Sequence, residues 1–392
     1  MRKMRWQKGL AAGMAVVTAM AMMAGCSSSG STDTTAATQA AETTAAASDG
    51  AETSGEEESA AVDVSSREPI RVGTMPHQMG VALYYADREG LFAEAGINVE
   101  VAMFQGGAAI NEAIGAGELD GAISGLASVY ALANNLVKMV GEVDTAGADG
   151  IVVRNDSDIL QHKGEIEGKP DMYGSADTLR GKSFVCQVGQ AQQFYISRWI
   201  SQFGLTDEDI TFINMEDASG YQAFLSGEGD VIGTKMPYIY ELTQQEDSTC
   251  TIAAGVEDAT GVEIKDCIIF TPQILEERRD DIKTFLSVIY DVIDQMEADQ
   301  SFREQAIADF YQSTGTELVQ EQLEYELTKN RLLTSEVQGS EDYYMGDGMQ
   351  AVADFYGESG TIVPENVDNV YKNYDTSLLS EVLGVEVKAF SK

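Results

Sequence analysis

The sequence predicts an α/β protein of two lobes, each a parallel-dominated sheet flanked by helices. Three observations predict it. A pattern A-x-x-x-G-E-x-D occurs twice, as Ala113-Ile-Gly-Ala-Gly-Glu-Leu-Asp120 and, 110 residues later, as Ala223-Phe-Leu-Ser-Gly-Glu-Gly-Asp230. Each copy sits in the same alternation of apolar strand-like runs and helical runs. A long stretch of helical periodicity follows the second copy.

The elements follow in order. Ile70–Gly73 reads as a strand entering a polar loop, and a helix follows through Val81, Leu83, Tyr84 and Ala86. Gly90 closes that helix, because glycine reaches left-handed backbone angles without strain. Ile97–Phe104 alternates as a strand, Gly107–Gly115 reads as a helix, and Gly121–Ser124 as a strand. The second copy repeats this order. Ser183–Val188 is a strand, and a helix through Phe194, Ile196, Trp199 and Ile200 closes at Gly204. Strand Ile210–Met215, a helix through Tyr221, Phe224 and Leu225, and strand Val231–Gly233 complete it. Strands alternating with helices imply a parallel sheet covered on both faces. A single sheet would need no restart, so two copies imply two lobes.

Between the copies, Met139–Arg154 reads as the crossing from one lobe to the other, and 155–179 as a polar inserted loop. Cys267–Phe270 reads as the return crossing. Beyond Pro272, Ile282, Phe285, Val288, Ile289, Val292 and Ile293 stand at helix spacing, and these helices are expected to pack on lobe I. Lobe I is then 67–150 with 267–392, and lobe II is 151–266.

The N-terminus is a processing signal rather than part of the fold. Arg2, Lys3, Arg5 and Lys8 precede an uncharged run from Gly9 to Met23, too short for a stable membrane span. Met23-Ala-Gly-Cys26 resembles a bacterial lipobox. Residues 1–25 are expected to be removed and Cys26 to carry lipid, including palmitate. The tether, 26–66, is mainly Ser, Thr, Ala, Gly, Asp and Glu after Cys26, a composition that cannot bury enough surface to order itself. The expected location is the extracytoplasmic face of the cell membrane, with the lipid as the only membrane contact.

The 392-residue chain carries a net charge of −39, and loss of the four basic residues before Cys26 takes it to −43. Nucleic acid and anionic membrane surfaces are excluded as partners by that charge. Of four cysteines, Cys186, Cys250 and Cys267 remain after Cys26, with no metal-binding spacing; a Cys250–Cys267 bridge is open. With only two histidines, His77 and His162, neither a zinc site nor a histidine-based triad has the necessary residues. No metal, cofactor or catalytic residue is expected.

In two facing α/β lobes the loops after the strands line a shared cleft. A captured solute loses its water, and the cleft must replace those hydrogen bonds. Loops at Thr74–Gln78, Gln105–Gly107, Ser124–Ser128 and Gly189–Gln193 precede helices whose N-termini offer free N–H groups. The candidate contacts are Thr74, His77, Gln78, Gln105, Ser124, Ser128, Gln190 and Gln192. Gly106 and Gly107 would let backbone approach a ligand closely. Tyr84 and Tyr238 could stack on a flat ligand, and at most one of Tyr84 and Tyr85 can face the cleft. Lys235 could pair with an anion; a solvated surface lysine is the alternative.

The chain resembles the solute-binding proteins of nitrate, sulfonate, taurine and thiamine-precursor importers. The resemblance rests on Ile70-Arg-Val-Gly73, Tyr85-Ala-Asp-Arg-Glu-Gly-Leu-Phe92, Gly96-Ile-Asn-Val99 and the stretch from Phe104 to Asp120. Leu179-Arg-Gly-Lys182, Gly360-Thr-Ile-Val-Pro364 and Tyr374-Asp375 extend it. It implies a type II periplasmic-binding fold, a permease and an ATPase as partners, and a monomer. The solute would be a small organic molecule, either a sulfonate-like anion or a pyrimidine-like vitamin precursor. The resemblance also leaves open a thiamine-pyrimidine-synthesis-like enzyme or a tethered sensory domain on the same fold. Thr74–Met79, Gly189–Gln193 and Thr234–Tyr238 depart from the family's usual loops.

Overall fold

A computed structural model describes residues 64–392; the leader, Cys26 and the tether through residue 63 lie outside the described residues. Ten strands run in chain order: β1 (Ile70–Thr74), β2 (Val99–Met103), β3 (Gly121–Ser124), β4 (Lys138–Thr145) and β5 (Gly150–Arg154), then β6 (Ser183–Cys186), β7 (Thr211–Asn214), β8 (Val231–Thr234), β9 (Cys250–Gly255) and β10 (Lys265–Phe270). They form two five-stranded sheets, ordered β2-β1-β3-β10-β4 and β7-β6-β8-β5-β9. In the first sheet β1 pairs in parallel with β2 and β3, while β10 runs antiparallel between β3 and β4. The second sheet repeats this, with β6 parallel to β7 and β8, and β5 antiparallel between β8 and β9. Each sheet is therefore mixed but parallel-dominated, with one reversed strand. In both sheets that strand lies next to a connection between the sheets: β5 follows the first crossing, and β10 follows the return.

The repeated motif has the same physical role in both copies. Gly117 and Gly227 take left-handed backbone angles at a helix end (φ 75° and 97°). The amides of Glu118 and Glu228 then donate back to the carbonyls of Ala113 and Ala223, each at 2.9 Å. The closing aspartate fastens this turn to the lobe's first strand. Asp120 accepts from the Arg71 amide at 2.8 Å, and Asp230 from the Ser183 amide at 2.8 Å. The motif is a structural fastening between helix, turn and strand.

The sequence places a strand at Ile97–Phe104, but the ladder spans only Val99–Met103. The polar segment 155–179 holds a 3-10 turn at Asp158–Gln161 and a short helix at Ala176–Leu179. It packs on the second lobe, where Trp199 Nε1 donates to the Tyr173 carbonyl at 3.0 Å.

The C-terminal helices do more than cover lobe I. Phe285, on the Arg279–Ala298 helix, stacks on Phe92 at 5.2 Å, as expected for that packing. Phe355 and Tyr356, however, meet Phe194 of the second lobe at 5.5 and 6.2 Å, and Tyr325 meets Tyr240 at 5.7 Å. The tail thus touches both lobes. Cys186, Cys250 and Cys267 are free and buried, and Cys250 and Cys267 belong to different sheets. Among the described residues no helix is long and apolar enough to cross a membrane.

Candidate functional site

A cavity of about 50 Å³ is walled by both lobes. Lobe I contributes the loop after β1, with Met75, His77, Gln78 and Met79, and the C-terminal end of β4, with Asp144 and Thr145. The N-terminal end of β10 adds Asp266, which is the cross-strand partner of Asp144. Lobe II contributes Lys235 and Met236 after β8, and Gln190, Gln192 and Tyr195 from the start of the Ala191–Ser201 helix. Asp149 reaches in from the crossing between the sheets, and Tyr311, Glu326 and Asn330 from the C-terminal helices. Strand ends and helix starts meet here because each lobe aims its sheet at the other.

The hydrogen bonds fix most of these groups. The Tyr195 hydroxyl donates to Asp149 Oδ2 at 3.1 Å. Asn330 accepts from the Ala148 amide at 2.8 Å, which orients its Nδ2 to donate to Gln78 Oε1 and to Glu326 Oε1, each at 3.1 Å. Lys235 Nζ lies 3.1 Å from Asp217 Oδ2, and Gln192 Nε2 donates to Asp217 Oδ1 at 2.9 Å. Four polar atoms on the wall are buried without a partner: Gln78 Nε2, Asp144 Oδ1, Gln192 Oε1 and Glu326 Oε2. A buried polar atom left unpaired costs about 1–3 kcal/mol, so four on one cavity wall mark a surface shaped for something other than stability.

Burial governs the titration of this wall. It pushes Asp149 up to about 8, although Lys235 and the Tyr195 hydroxyl pull the other way. It lifts Glu326 to about 7 against the hydrogen bonds from Asn330 and Tyr311. Asp144 and Asp266 are likewise held above the usual carboxylate range by burial, and Asp144 is raised further by the charge of Asp266. Burial and Lys235 drive His77 well below the ordinary histidine value, which leaves its ring neutral. For Lys235 burial works against the charge, but Asp217 and Asp149 outweigh it and keep the ammonium above its usual value. Among the described residues no three His, Cys, Asp or Glu side chains are placed to share a metal ion.

Of the sequence-predicted contacts, His77, Gln78, Gln190, Gln192 and Lys235 line the cavity. Lys235, for which the solvated surface was an alternative, is held inside by Asp217. Gln105 and Tyr238 stand in a wider adjoining opening, where Tyr238 stacks on Tyr221 at 5.0 Å. Thr74, Ser124 and Ser128 are fully buried at strand and helix ends and are not on the wall of either opening. Gly106 and Gly107 admit a close approach, but to protein. A Cβ at Gly106 would come within 2.9 Å of Gln187 Nε2, and one at Gly107 within 2.7 Å of Ala127 Cβ. Tyr84 does not reach the cavity: it packs on Phe310 at 5.5 Å, and Tyr85 packs on Phe302 at 4.8 Å. Both tyrosines of that helix serve helix packing, since the C-terminal helices cover it. Cys26 lies outside the described residues.

Sequence reasoning missed Asp144, Asp149, Asp266 and Glu326. A faint trace existed for two of them. Asp144 and Asp266 each interrupt a run of strand formers, in Met139-Val-Gly-Glu-Val-Asp-Thr145 and Lys265-Asp-Cys-Ile-Ile-Phe270. A charged residue inside a strand that is otherwise buried needs a partner or a purpose.

With this geometry in view, the relatives are decisive for the family. The NMT1/THI5 like family model matches residues 79–301, more than half of the chain. The chain belongs to the NMT1/THI5-like family. A protein of Brachyspira hyodysenteriae named as an ABC transporter periplasmic binding protein is 25% identical over 315 residues, covering 80% of this chain and 89% of the relative. Among solved structures, the aliphatic sulphonate binding protein SsuA of Escherichia coli superposes with TM-score 0.61 at 19% identity, covering 80% of this chain and 99% of that one. The nitrate-binding protein NrtA of Synechocystis gives TM-score 0.59 at 12% identity, covering 81% and 88%. These structures establish the periplasmic-binding-protein fold for this family member.

Proposed function

We propose that this family member is the solute-binding component of an ABC importer, with no catalytic residue and no cofactor. One observation carries the reading: a cavity walled by both lobes, with unpaired buried polar atoms on its wall. The relative named as an ABC transporter periplasmic binding protein supports it. The solute enters between lobe I (67–150 and 267–392) and lobe II (151–266), and contacts from both lobes favour the closed form. His77, Gln78, Gln190, Gln192 and Lys235 are the proposed contacts on the cavity wall, with Gln105 and Tyr238 at the mouth. A permease and its ATPase then receive the solute. The protein acts as a monomer, held at the extracytoplasmic face by lipid on Cys26. Replacing Cys26 with Ala should release the protein into the medium; retention in the membrane fraction would refute the anchor.

Of the two solute classes open in the sequence, the sulfonate-like anion fits the wall poorly. An anion would face Asp144, Asp149, Asp266 and Glu326, while the lining cation, Lys235, is already matched by Asp217. A nitrogen-rich solute bearing N–H donors, such as an amino-substituted pyrimidine, fits better. A thermal-shift screen of the mature domain tests the function, because a saturating ligand raises the melting temperature by mass action. Anions, cations and neutral heterocycles all belong in the panel. If none shifts the transition, the solute-binding reading fails.

A further inference from the structure

The cavity wall is unbalanced in charge and in hydrogen-bonding capacity. Its carboxylates come from four separate places: Asp144 on β4, Asp266 on β10, Asp149 on the crossing, and Glu326 on the Gln320–Lys329 helix. Asp144 and Asp266 are direct antiparallel partners, where two negative charges would repel, and a hydrogen bond between their side chains keeps a proton on Asp144. Against them the wall offers Lys235, which lies 3.1 Å from Asp217 and also favours the ionised forms of Asp149 and Asp266. Arg303, behind the wall, donates to the Asn330 carbonyl at 2.7 Å, and its charge favours the ionised forms of Asp144 and Glu326 without cancelling their burial.

The unpaired atoms are unbalanced too. Asp144 Oδ1, Glu326 Oε2 and Gln192 Oε1 are acceptors, and Gln78 Nε2 is a donor. The amide orientations are fixed by their other contacts, since Gln192 Nε2 is engaged by Asp217 and Gln78 Oε1 by Asn330. All four residues are more than nine-tenths buried. A wall of buried, unfilled acceptors calls for a ligand rich in donors. Met75, Met79, Leu126, Met236 and Ile264 add apolar surface to the wall. The cavity holds about 50 Å³, so the lobes must part to seat an organic solute.

We propose that the solute is a small organic cation, an ammonium or amidinium with several N–H donors, whose charge sits among Asp144, Asp266, Asp149 and Glu326. This deepens the binding-protein reading and rests on it. The cation ionises carboxyls that burial keeps partly protonated in the free protein, so binding releases protons. His77 is neutral and Lys235 stays charged, so neither takes those protons up. Tyr195 and Tyr311, which also face the cluster, are raised far above neutrality by burial and do not titrate there. Affinity therefore rises with pH, by about tenfold per unit for each proton displaced.

Isothermal titration of the mature domain tests this with agmatine, cadaverine and benzamidine as cations, ethanesulfonate and nitrate as anions, and uracil as a neutral heterocycle. The expected result is binding by at least one of the three cations. It should strengthen from pH 6 to pH 8, with a heat that varies with the ionisation enthalpy of the buffer. Asp144→Asn and Asp266→Asn, near-isosteric changes that remove an ionisable group, should each weaken that binding by about tenfold or more. Asp230→Ala, at the helix–strand fastening away from the cavity wall, should leave it unchanged. The buffer-dependent heat is read on the wild type, so it stands even if a variant misfolds. Binding by an anion or uracil with no cation bound overturns the proposal and leaves the binding-protein reading intact. So does cation binding that is independent of pH and buffer. Silence from every probe sinks both.

Discussion

Glu142 and Asp144 stand two residues apart on β4, both buried and both raised above the usual carboxylate range, yet they are opposite kinds of site. Glu142 is satisfied. The Tyr343 hydroxyl and the Gly346 amide donate to its two oxygens, and Lys265 lies close enough to offset part of the burial that pushes it up to about 7. Asp144 keeps one oxygen unpaired, faces Asp266, and lines the cavity. The strand itself separates the two. The β4–β10 register slips between them, with Asp266 opposite Asp144 and Cys267 opposite Glu142. Such a bulge breaks the alternation of faces and re-aims a side chain. One acid therefore holds the fold together, and its neighbour is held open at some expense to it.

That contrast can be broken by mutation. Glu142→Ala should produce the largest change, lowering unfolding free energy by about 3 kcal/mol, because Tyr343 and Gly346 lose their acceptor inside the protein. Urea denaturation measures it, and a loss near zero would erase the distinction.

A pH series sharpens it. Glu142, Asp144, Asp149, Asp266 and Glu326 all hold their protons more tightly folded than unfolded. The folded state therefore binds more protons, and stability falls as pH rises from about 4, the unfolded carboxylate value, to the folded values near 7 and 8. His77 opposes this, since its lowered value makes stability rise with pH up to about 6.5, but one histidine stands against five carboxyls. The solute-free domain should lose about 2 kcal/mol or more between pH 5 and pH 8, and Asp149→Asn should flatten the curve. A rise over that interval would refute the assignment.

The repeated fastening gives a smaller effect. Asp230→Ala removes the acceptor for the Ser183 amide and should lower stability by about 1–2 kcal/mol while leaving solute affinity unchanged. A change in affinity would mean that the motif reaches the cleft. Asp144→Asn should be the smallest, within about 1 kcal/mol of wild type, because the amide can donate to Asp266 in place of the carboxyl proton. A loss as large as that of Glu142→Ala would make Asp144 a structural acid and remove the basis for a cation site.

Much of the fold was legible because it is written in local periodicity. The A-x-x-x-G-E-x-D turns need a glycine at a positive φ and an aspartate to fasten the strand, and both requirements are visible in any single copy. The cavity was legible only in part. Loops placed at strand ends brought His77, Gln78, Gln190, Gln192 and Lys235 to its wall. Tyr84 failed because helices more than 200 residues later cover its face, and periodicity on one helix does not say which of its neighbours will be protein.

The sequence by itself determined the two-lobed α/β architecture, the leader and tether as expectations, and the strand ends that face one another. Only the tertiary structure decided the chemistry of the cleft. Asp144, Asp149, Asp266 and Glu326 are separated by up to 182 residues and lie on unrelated elements. No local pattern links them. Their effect on one another arises from shared burial, which strengthens each charge interaction and penalises each charge, and burial exists only once the chain has folded.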